Sequence, residues 1–350
     1  MVTFVVMNIS SKWESPSNIA LVKYWGKMGI QLPANPSISF TLNEAKTITK
    51  VSLEEKTTKD DFEILVKYDS KEIPEFEGKI IQFLNRTAHL FTFTKQFKIV
   101  INTVNTFPHS SGIASSASGM SALALCLCSI EEHVEGNKTL DFYRKASVAA
   151  RLGSGSACRS LYGGLVSWGA HKDYVGSSDE FATQLSEKEV FSGFYGFKDM
   201  ILLVDEGKKL VSSTLGHSLL NNHPFASARY EEAGKNMSLM KKALKEGDLG
   251  LFTHIVESEA MMLHALMMTS NPYFVLMRPN TLAIIEKVWD FRKQTGLRPV
   301  VTLDAGANVH VLFPQEEQDA IFQFAGEHLL QYCQENKYIC SSIGNGPKQL

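Results

Sequence analysis

The sequence has almost no net charge: 35 lysines and arginines stand against 37 aspartates and glutamates in 350 residues. No long basic run breaks this balance, so nothing electrostatic points to nucleic acid or a membrane surface, and any anionic ligand must be held by a few locally placed cations. Long apolar runs are missing as well. No stretch of 18 apolar residues occurs, which argues against a membrane-spanning helix, and residues 1–7 lack the basic segment and the length of a secretory leader. A cytoplasmic protein is expected. The five cysteines (Cys126, Cys128, Cys158, Cys333, Cys340) are odd in number and contain no Cys-x-x-Cys pair, so neither a disulfide framework nor a zinc site is supported. Buried, reduced thiols follow. No internal repeat is visible.

Length predicts about two domains. The polar, Ser/Asp-rich residues 171–189 are the place to divide them, giving 1–185 and 186–350. Period-two alternation predicts a strand pair at 36–42 and 47–53, and shorter apolar runs predict strands at 62–66, 97–101, 165–168, 200–204, 299–303, 309–313 and 338–341. Helical spacing predicts helices at 79–91, 141–152, 225–245, 249–268, 280–293 and 316–333. On the 249–268 helix His254 and Glu257 lie one turn apart without matching partners, which reads as a solvated face rather than a metal site.

The most informative stretch is Pro108-His109-Ser110-Ser111-Gly112-Ile113-Ala114-Ser115-Ser116-Ala117-Ser118-Gly119, which runs straight into the apolar segment from Met120 to Ile130. Small, hydroxylated residues let backbone approach an anion, and the free N–H groups of the following helix supply donors and partial positive charge. This is a phosphate cradle between strand and helix. It is not a Walker loop, because no Gly-Lys-Ser/Thr follows. A second small-residue loop, Gly153-Ser154-Gly155-Ser156-Ala157-Cys158-Arg159-Ser160-Leu161-Tyr162-Gly163-Gly164, also adjoins strongly apolar elements and is no linker. Lys23 and Lys27, beside Tyr24 at the end of an apolar run, suit an anion grip, although solvated lysines at a strand end would have the same pattern. Asp304 ends a predicted strand in the turn Asp304-Ala305-Gly306-Ala307-Asn308, a rigid place for a catalytic acid that also fits a simple turn cap.

Taken together, Asn18 to Lys27, the cradle, the Gly153 to Gly164 block and Asp304-Ala305-Gly306 resemble the diphosphomevalonate decarboxylases of the GHMP kinase superfamily. The resemblance implies an α+β fold of two domains, a cradle-bearing N-terminal domain of the ribosomal protein S5 domain 2-like kind and a ferredoxin-like C-terminal domain, with the active site in the cleft between them. It implies an ATP- and Mg²⁺-dependent conversion of mevalonate 5-diphosphate to isopentenyl diphosphate, with ADP, phosphate and CO₂ released, in the mevalonate route to isoprenoids. It implies a homodimer. By matching position, the catalytic set is Asp304, which takes or orients the hydroxyl proton, Arg159, which holds the carboxylate, and Lys27. Tyr24, Lys27, Ser154, Gly155, Ser156, Arg159 and Ser213 would bind substrate. Pro108, Ser111, Gly112, Ala114, Ser115 and Ser116 would cradle ATP with help from Asn18 and Lys23, and no residue is assigned to the metal. The sequence departs from the family at His109-Ser110-Ser111 and at Ala307, positions that carry no group the chemistry needs. Relatives that act on mevalonate 5-phosphate, or that stop at phosphorylation of the 3-hydroxyl, and a non-catalytic binding module remain the alternatives.

Overall fold

A computed structural model describes residues 9–107, 113–205, 207 and 213–350, the side chains of Ser213 and Thr214 excepted. The first half is built on β1 (Ser10–Val22) and β2 (Ser37–Glu55), antiparallel to one another. The expected strand pair at 36–42 and 47–53 is a single strand of 19 residues. No turn forms between the two runs because Glu44 is held: its carboxylate accepts from the Ser341 hydroxyl (2.8 Å) and the Ser342 N–H (2.7 Å) of a distant strand. Burial alternates only beyond residue 42, and Ser37 to Leu42 is buried on both faces, the mark of a strand lying between two layers. Ladder register slips between Pro16 and Asn18, where Pro16 has no N–H to donate.

β3 (Glu63–Tyr68), β4 (Phe97–Asn105), β5 (Leu165–Trp168) and β6 (Ala182–Gln184) extend this sheet; β4 is antiparallel to β2 and parallel to β3, while β5 pairs with the buried end of β2. Three helices cover one face: α1 (Glu77–Thr87), α2 (Ser115–Glu135) and α3 (Phe142–Gly153), with Phe83, Leu84, Leu123, Leu127 and Ala150 packed on Val51, Ile99 and Ile101. Asp141 caps α3 by accepting from the Arg144 N–H.

The second half holds a four-stranded antiparallel sheet of β7 (Phe197–Leu202), β8 (Val300–Thr302), β9 (Val309–Pro314) and β10 (Tyr338–Ser342) in the order β8-β9-β7-β10. The short α4 (Ser213–Ser218) is followed by α5 (Ala226–Glu246), α6 (Leu249–Met268), α7 (Pro279–Thr295) and α8 (Gln318–Phe324). The expected helix 316–333 breaks after Phe324 into a π turn, Ala325–Leu329, where Gly326 lowers helical propensity. Glu257 is not on a solvated face: Arg292 pairs with it at 2.7 Å, and the Trp289 ring N–H and the Val301 N–H donate to it.

The two sheets lie on either side of residue 186, except that the C-terminal segment returns to the first: Ile343 forms a β-bridge with Leu42, and β11 (Lys348–Gln349) pairs with β1. One apolar core joins the halves, with Ile19, Ile38 and Phe40 packed together with Phe197, Ile201, Met237, Phe252 and Leu312. No helix among the described residues is long and apolar enough to cross a membrane.

Candidate active site

The site grows from the end of β1 and the turn after α3. Residues Gly155–Leu161 form a 3₁₀ turn, and its glycine is required: a Cβ at Gly155 would stand 2.6 Å from the Tyr24 hydroxyl and 2.9 Å from the Trp168 ring. That close approach lays Arg159 beneath β2. The guanidinium, 2% exposed, donates to Ser37 Oγ (2.6 Å), Ser39 Oγ (3.0 Å) and Asn18 Oδ1 (3.2 Å). Asn18 is oriented by donating to Ser160 Oγ at 2.8 Å. All of these acceptors are neutral, and among the described residues no carboxylate pairs directly with Arg159. Burial pushes its pKa down, and the more distant Asp304 charge works in the other direction. A buried cation held by neutral oxygens is an electrostatic demand for an anionic ligand.

Beside it, Lys23 Nζ meets Asp304 Oδ1 at 3.0 Å, and the two side chains differ sharply in exposure, 2% for Lys23 against 27% for Asp304. Burial lowers the Lys23 pKa while Asp304 holds it up. The Lys23 backbone is gripped on both sides: its N–H donates to Glu259 Oε2 (2.8 Å), and its carbonyl accepts from Asn35 (2.9 Å) and Arg229 (3.0 Å). Asp304, in the turn after β8, is fixed through its carbonyl, which accepts from the Gly306 N–H (2.7 Å) and from His264 Nε2 (3.1 Å). Burial depresses the His264 pKa to about 4, so the ring is neutral and carries its proton on Nε2.

Tyr24 lines the same space. Its hydroxyl is buried with no hydrogen-bond partner among the described residues, its pKa is raised by burial, and its ring packs edge-on to Trp168 at 4.6 Å. His217 sits between Tyr24 and Trp25, 4.5 and 4.4 Å from their rings, and accepts the Gly26 N–H on Nδ1. The half-buried Lys27 has its pKa pushed down to about 8, first by burial and then by Arg86.

Helix α2 begins after Ala114, a non-glycine residue at φ 42° whose carbonyl accepts the Ala117 N–H (2.7 Å), which leaves the N–H groups of Ser115 and Ser116 without acceptors inside the helix. Hydroxyl pairs moor it to the sheet: Ser118 to Thr47 at 2.6 Å and Ser121 to Ser15 at 2.5 Å. Ser116 Oγ lies 3.3 Å from Ser154 Oγ at an exposed position, so the two small-residue loops meet at one mouth, with Ser115 opening the helix beside them. Pro108, Ser111 and Gly112 lie outside the described residues, as does the side chain of Ser213.

The structure therefore gathers Tyr24, Gly155 and Arg159 around Lys23 and Asp304, and brings Ser116 and Ser154 together at the cradle. It separates two residues from the group in which the sequence places them: Lys23 lies on Asp304, and Asn18 on Arg159, rather than at the start of α2. Ser37, Ser39, Glu259 and His264 were not marked by the sequence reading. Glu259 alone had a signal, a carboxylate on the apolar stripe of α6.

Residues 15–182 match the model of the diphosphomevalonate decarboxylase-like N-terminal domain, and residues 200–342 that of the mevalonate 5-diphosphate decarboxylase C-terminal domain. The human diphosphomevalonate decarboxylase is 30% identical over 329 residues, which cover 90% of this chain and 79% of that one. The chain belongs to the diphosphomevalonate decarboxylase family. The Candida albicans member is 29% identical over 366 residues, 97% of this chain and 98% of its own length. Among solved structures, the Staphylococcus aureus mevalonate diphosphate decarboxylase aligns with a TM-score of 0.84 at 27% identity, covering 98% of each chain. A structure described as MDDEF in complex with MVAPP, AMPPCP and magnesium aligns with the same TM-score and identity over 98% of this chain and 99% of that one. The fold is the α+β, GHMP kinase-like fold of this family.

Proposed function

We propose that this chain catalyses the ATP-dependent decarboxylation of mevalonate 5-diphosphate to isopentenyl diphosphate, releasing ADP, phosphate and CO₂, at the site where Arg159 lies beside the Lys23–Asp304 pair. The observation that carries the assignment of the site is the buried Arg159, whose direct partners are neutral oxygens. A carboxylate is the group its planar fork fits.

The tertiary 3-hydroxyl of the substrate is a poor leaving group, so it is first phosphorylated. Asp304, the more open member of its pair, takes or orients the hydroxyl proton, and Lys23 keeps that carboxylate anionic and aimed. Phosphate then departs, C3 gains cationic character, and the electrons of the carboxylate carbon–carbon bond form the alkene as CO₂ leaves. Arg159 holds the carboxylate in line for that step. The unpartnered Tyr24 hydroxyl and the Lys27 ammonium grip the diphosphate with Ser154, Gly155, Ser156 and Ser213, and the start of α2 with Ala114, Ser115 and Ser116 receives the ATP phosphates.

Magnesium fits a phosphate-borne position. No group of three His, Cys, Asp or Glu residues among the described residues could cage it, and this hard cation keeps waters and phosphate oxygens as ligands. The serine hydroxyls at the start of α2 would complete its shell, and it would neutralise charge on the transferring phosphate.

A cytoplasmic homodimer completes the proposal. Free cysteines throughout suit a reducing compartment. Exposed Phe225, Met268, Tyr273 and Val275, around the point where His223 ties to the Leu266 carbonyl, supply apolar surface for a second copy. Light scattering that gives a monomer at micromolar concentration would remove the dimer. Stoichiometry tests the reaction: ADP, phosphate and CO₂ should appear in equal amounts from mevalonate 5-diphosphate. ADP alone would make the protein a kinase, turnover of the monophosphate only would change the substrate, and no turnover at all would leave a binding module.

A further inference from the structure

Lys23 and Asp304 are 281 residues apart and follow strands of different sheets, so a contact of 3.0 Å between them needs both backbones fixed. One element touches both. Glu259 and His264 of α6 are five residues apart, which turns them about 140° around the helix and separates them by about 7.5 Å along it. One side chain thereby reaches the end of β1, and the other the turn after β8.

We propose that α6 sets the Lys23–Asp304 pair, with His264 the positioning residue for Asp304 and Glu259 the positioning residue for Lys23; this rests on the decarboxylase reading of the site. His264 donates from Nε2 to the Asp304 carbonyl, which also accepts the Gly306 N–H, so two donors lock one peptide and with it the Asp304 side chain. Glu259 is fully buried on an apolar stripe. It accepts from the Lys23 N–H (2.8 Å), from Arg229 (2.5 and 3.1 Å) and from Asn236 (2.7 Å), and Arg229 reaches past it to the Lys23 carbonyl. Both polar groups of the Lys23 backbone are thus held by one buried ion pair. Apolar side chains would dock a helix on a strand at no greater cost, because buried ion pairs add little net stability. What this arrangement supplies that a greasy contact does not is a fixed position for the two peptide units that flank the Lys23 Cα.

The test compares full-length protein carrying His264→Gln, whose amide nitrogen reaches the place of Nε2, with His264→Leu, which has no donor. His264→Asn, too short to reach, stands in for Leu should that variant fail to fold. The Leu variant should lose roughly tenfold in kcat with the KM for mevalonate 5-diphosphate unchanged, and Gln should restore most of the loss. In an Asp304→Asn background the Leu substitution should cost nothing further, because it acts through that carboxylate. Amide hydrogen exchange in the peptide spanning 303–308 should quicken with Leu and not with Gln. Wild-type kcat in the Leu variant, a full additional loss in the Asp304→Asn background, or unchanged exchange would each overturn the proposal. A wild-type protein without turnover would instead overturn the decarboxylase reading, and the exchange comparison would still decide the positioning role.

Discussion

The unequal burial of Lys23 and Asp304 makes their two removals unlike one another. In Asp304→Asn, the ammonium stays in a place where 2% of the side chain is exposed and loses the charge that most offsets its burial, keeping at best a neutral amide oxygen as acceptor. Breaking a buried pair in this way costs about 3–5 kcal/mol, and the lower end applies here because the Glu259 charge still favours the ammonium. In Lys23→Met the survivor is Asp304, which is 27% exposed and can rehydrate, and the burial cost of an ammonium is gone. The net loss should then be ~1 kcal/mol or less. Calorimetric melting of the two variants at pH 7 should therefore place Asp304→Asn well below Lys23→Met, although both lose turnover, the former by ~10²–10⁴-fold as a missing base. The pH dependence gives an independent sign. The Lys23 pKa is already lowered from 10.5 by burial, and without Asp304 it falls further. Between that depressed value and 10.5 the unfolded chain binds more protons than the folded one, so the stability of Asp304→Asn should rise with pH in this window, and more steeply than wild type. Lys23→Met should lack that slope. Equal destabilisation by both variants, or a falling slope in Asp304→Asn, would refute the argument from burial.

Arg159→Gln should reduce both substrate affinity and turnover, since the carboxylate is present in the ground state and must stay aligned as CO₂ leaves; a loss confined to kcat would mean that Arg159 acts only in the transition state. Lys27→Met should raise the KM for mevalonate 5-diphosphate by about ten- to hundred-fold, the worth of a charge-assisted contact, with melting unchanged. With its pKa at about 8 in the free protein, Lys27 loses its charge as pH rises, so substrate binding should weaken through that region in wild type and not in the variant. Gly155→Ala places a methyl group 2.6 Å from the Tyr24 hydroxyl and 2.9 Å from Trp168, and steady-state kinetics should show a raised KM as the Tyr24 and Trp168 rings are displaced.

What the sequence made legible was local. Small residues next to apolar runs marked both loops, and one serine from each, Ser116 and Ser154, lies 3.3 Å from the other. Helix α6 was readable to the residue because its stripe repeats at helical spacing. The single long β2 was not readable, because Asn43 and Glu44 look like a turn until the partner strand that holds Glu44 is known. Glu257 was misplaced for the same reason: Arg292 and Trp289 reach it from another helix. Lys23 was assigned to nucleotide since any cation near a phosphate loop reads that way, and nothing local distinguishes a lysine that will meet an acid 281 residues later.

The placement of that pair bears on why the site belongs to the whole chain rather than to either half. The first half alone contains Arg159, Asn18, Ser37 and Ser39, enough to hold a carboxylate, and the cradle at the start of α2. Among its described residues none is an acid paired with Arg159 or Lys23. The second half supplies Asp304, His264, Glu259 and Arg229, and it covers the buried end of β2 through the shared core of Phe40, Phe197 and Phe252. In the joined molecule Lys23 is buried, and there its ammonium needs Asp304 as a partner. The burial of Lys23 and its pairing with Asp304 both depend on residues of the second half. A substitution in the shared core, remote from every reacting atom, should register as lost turnover through Lys23 before it registers as an unfolded chain.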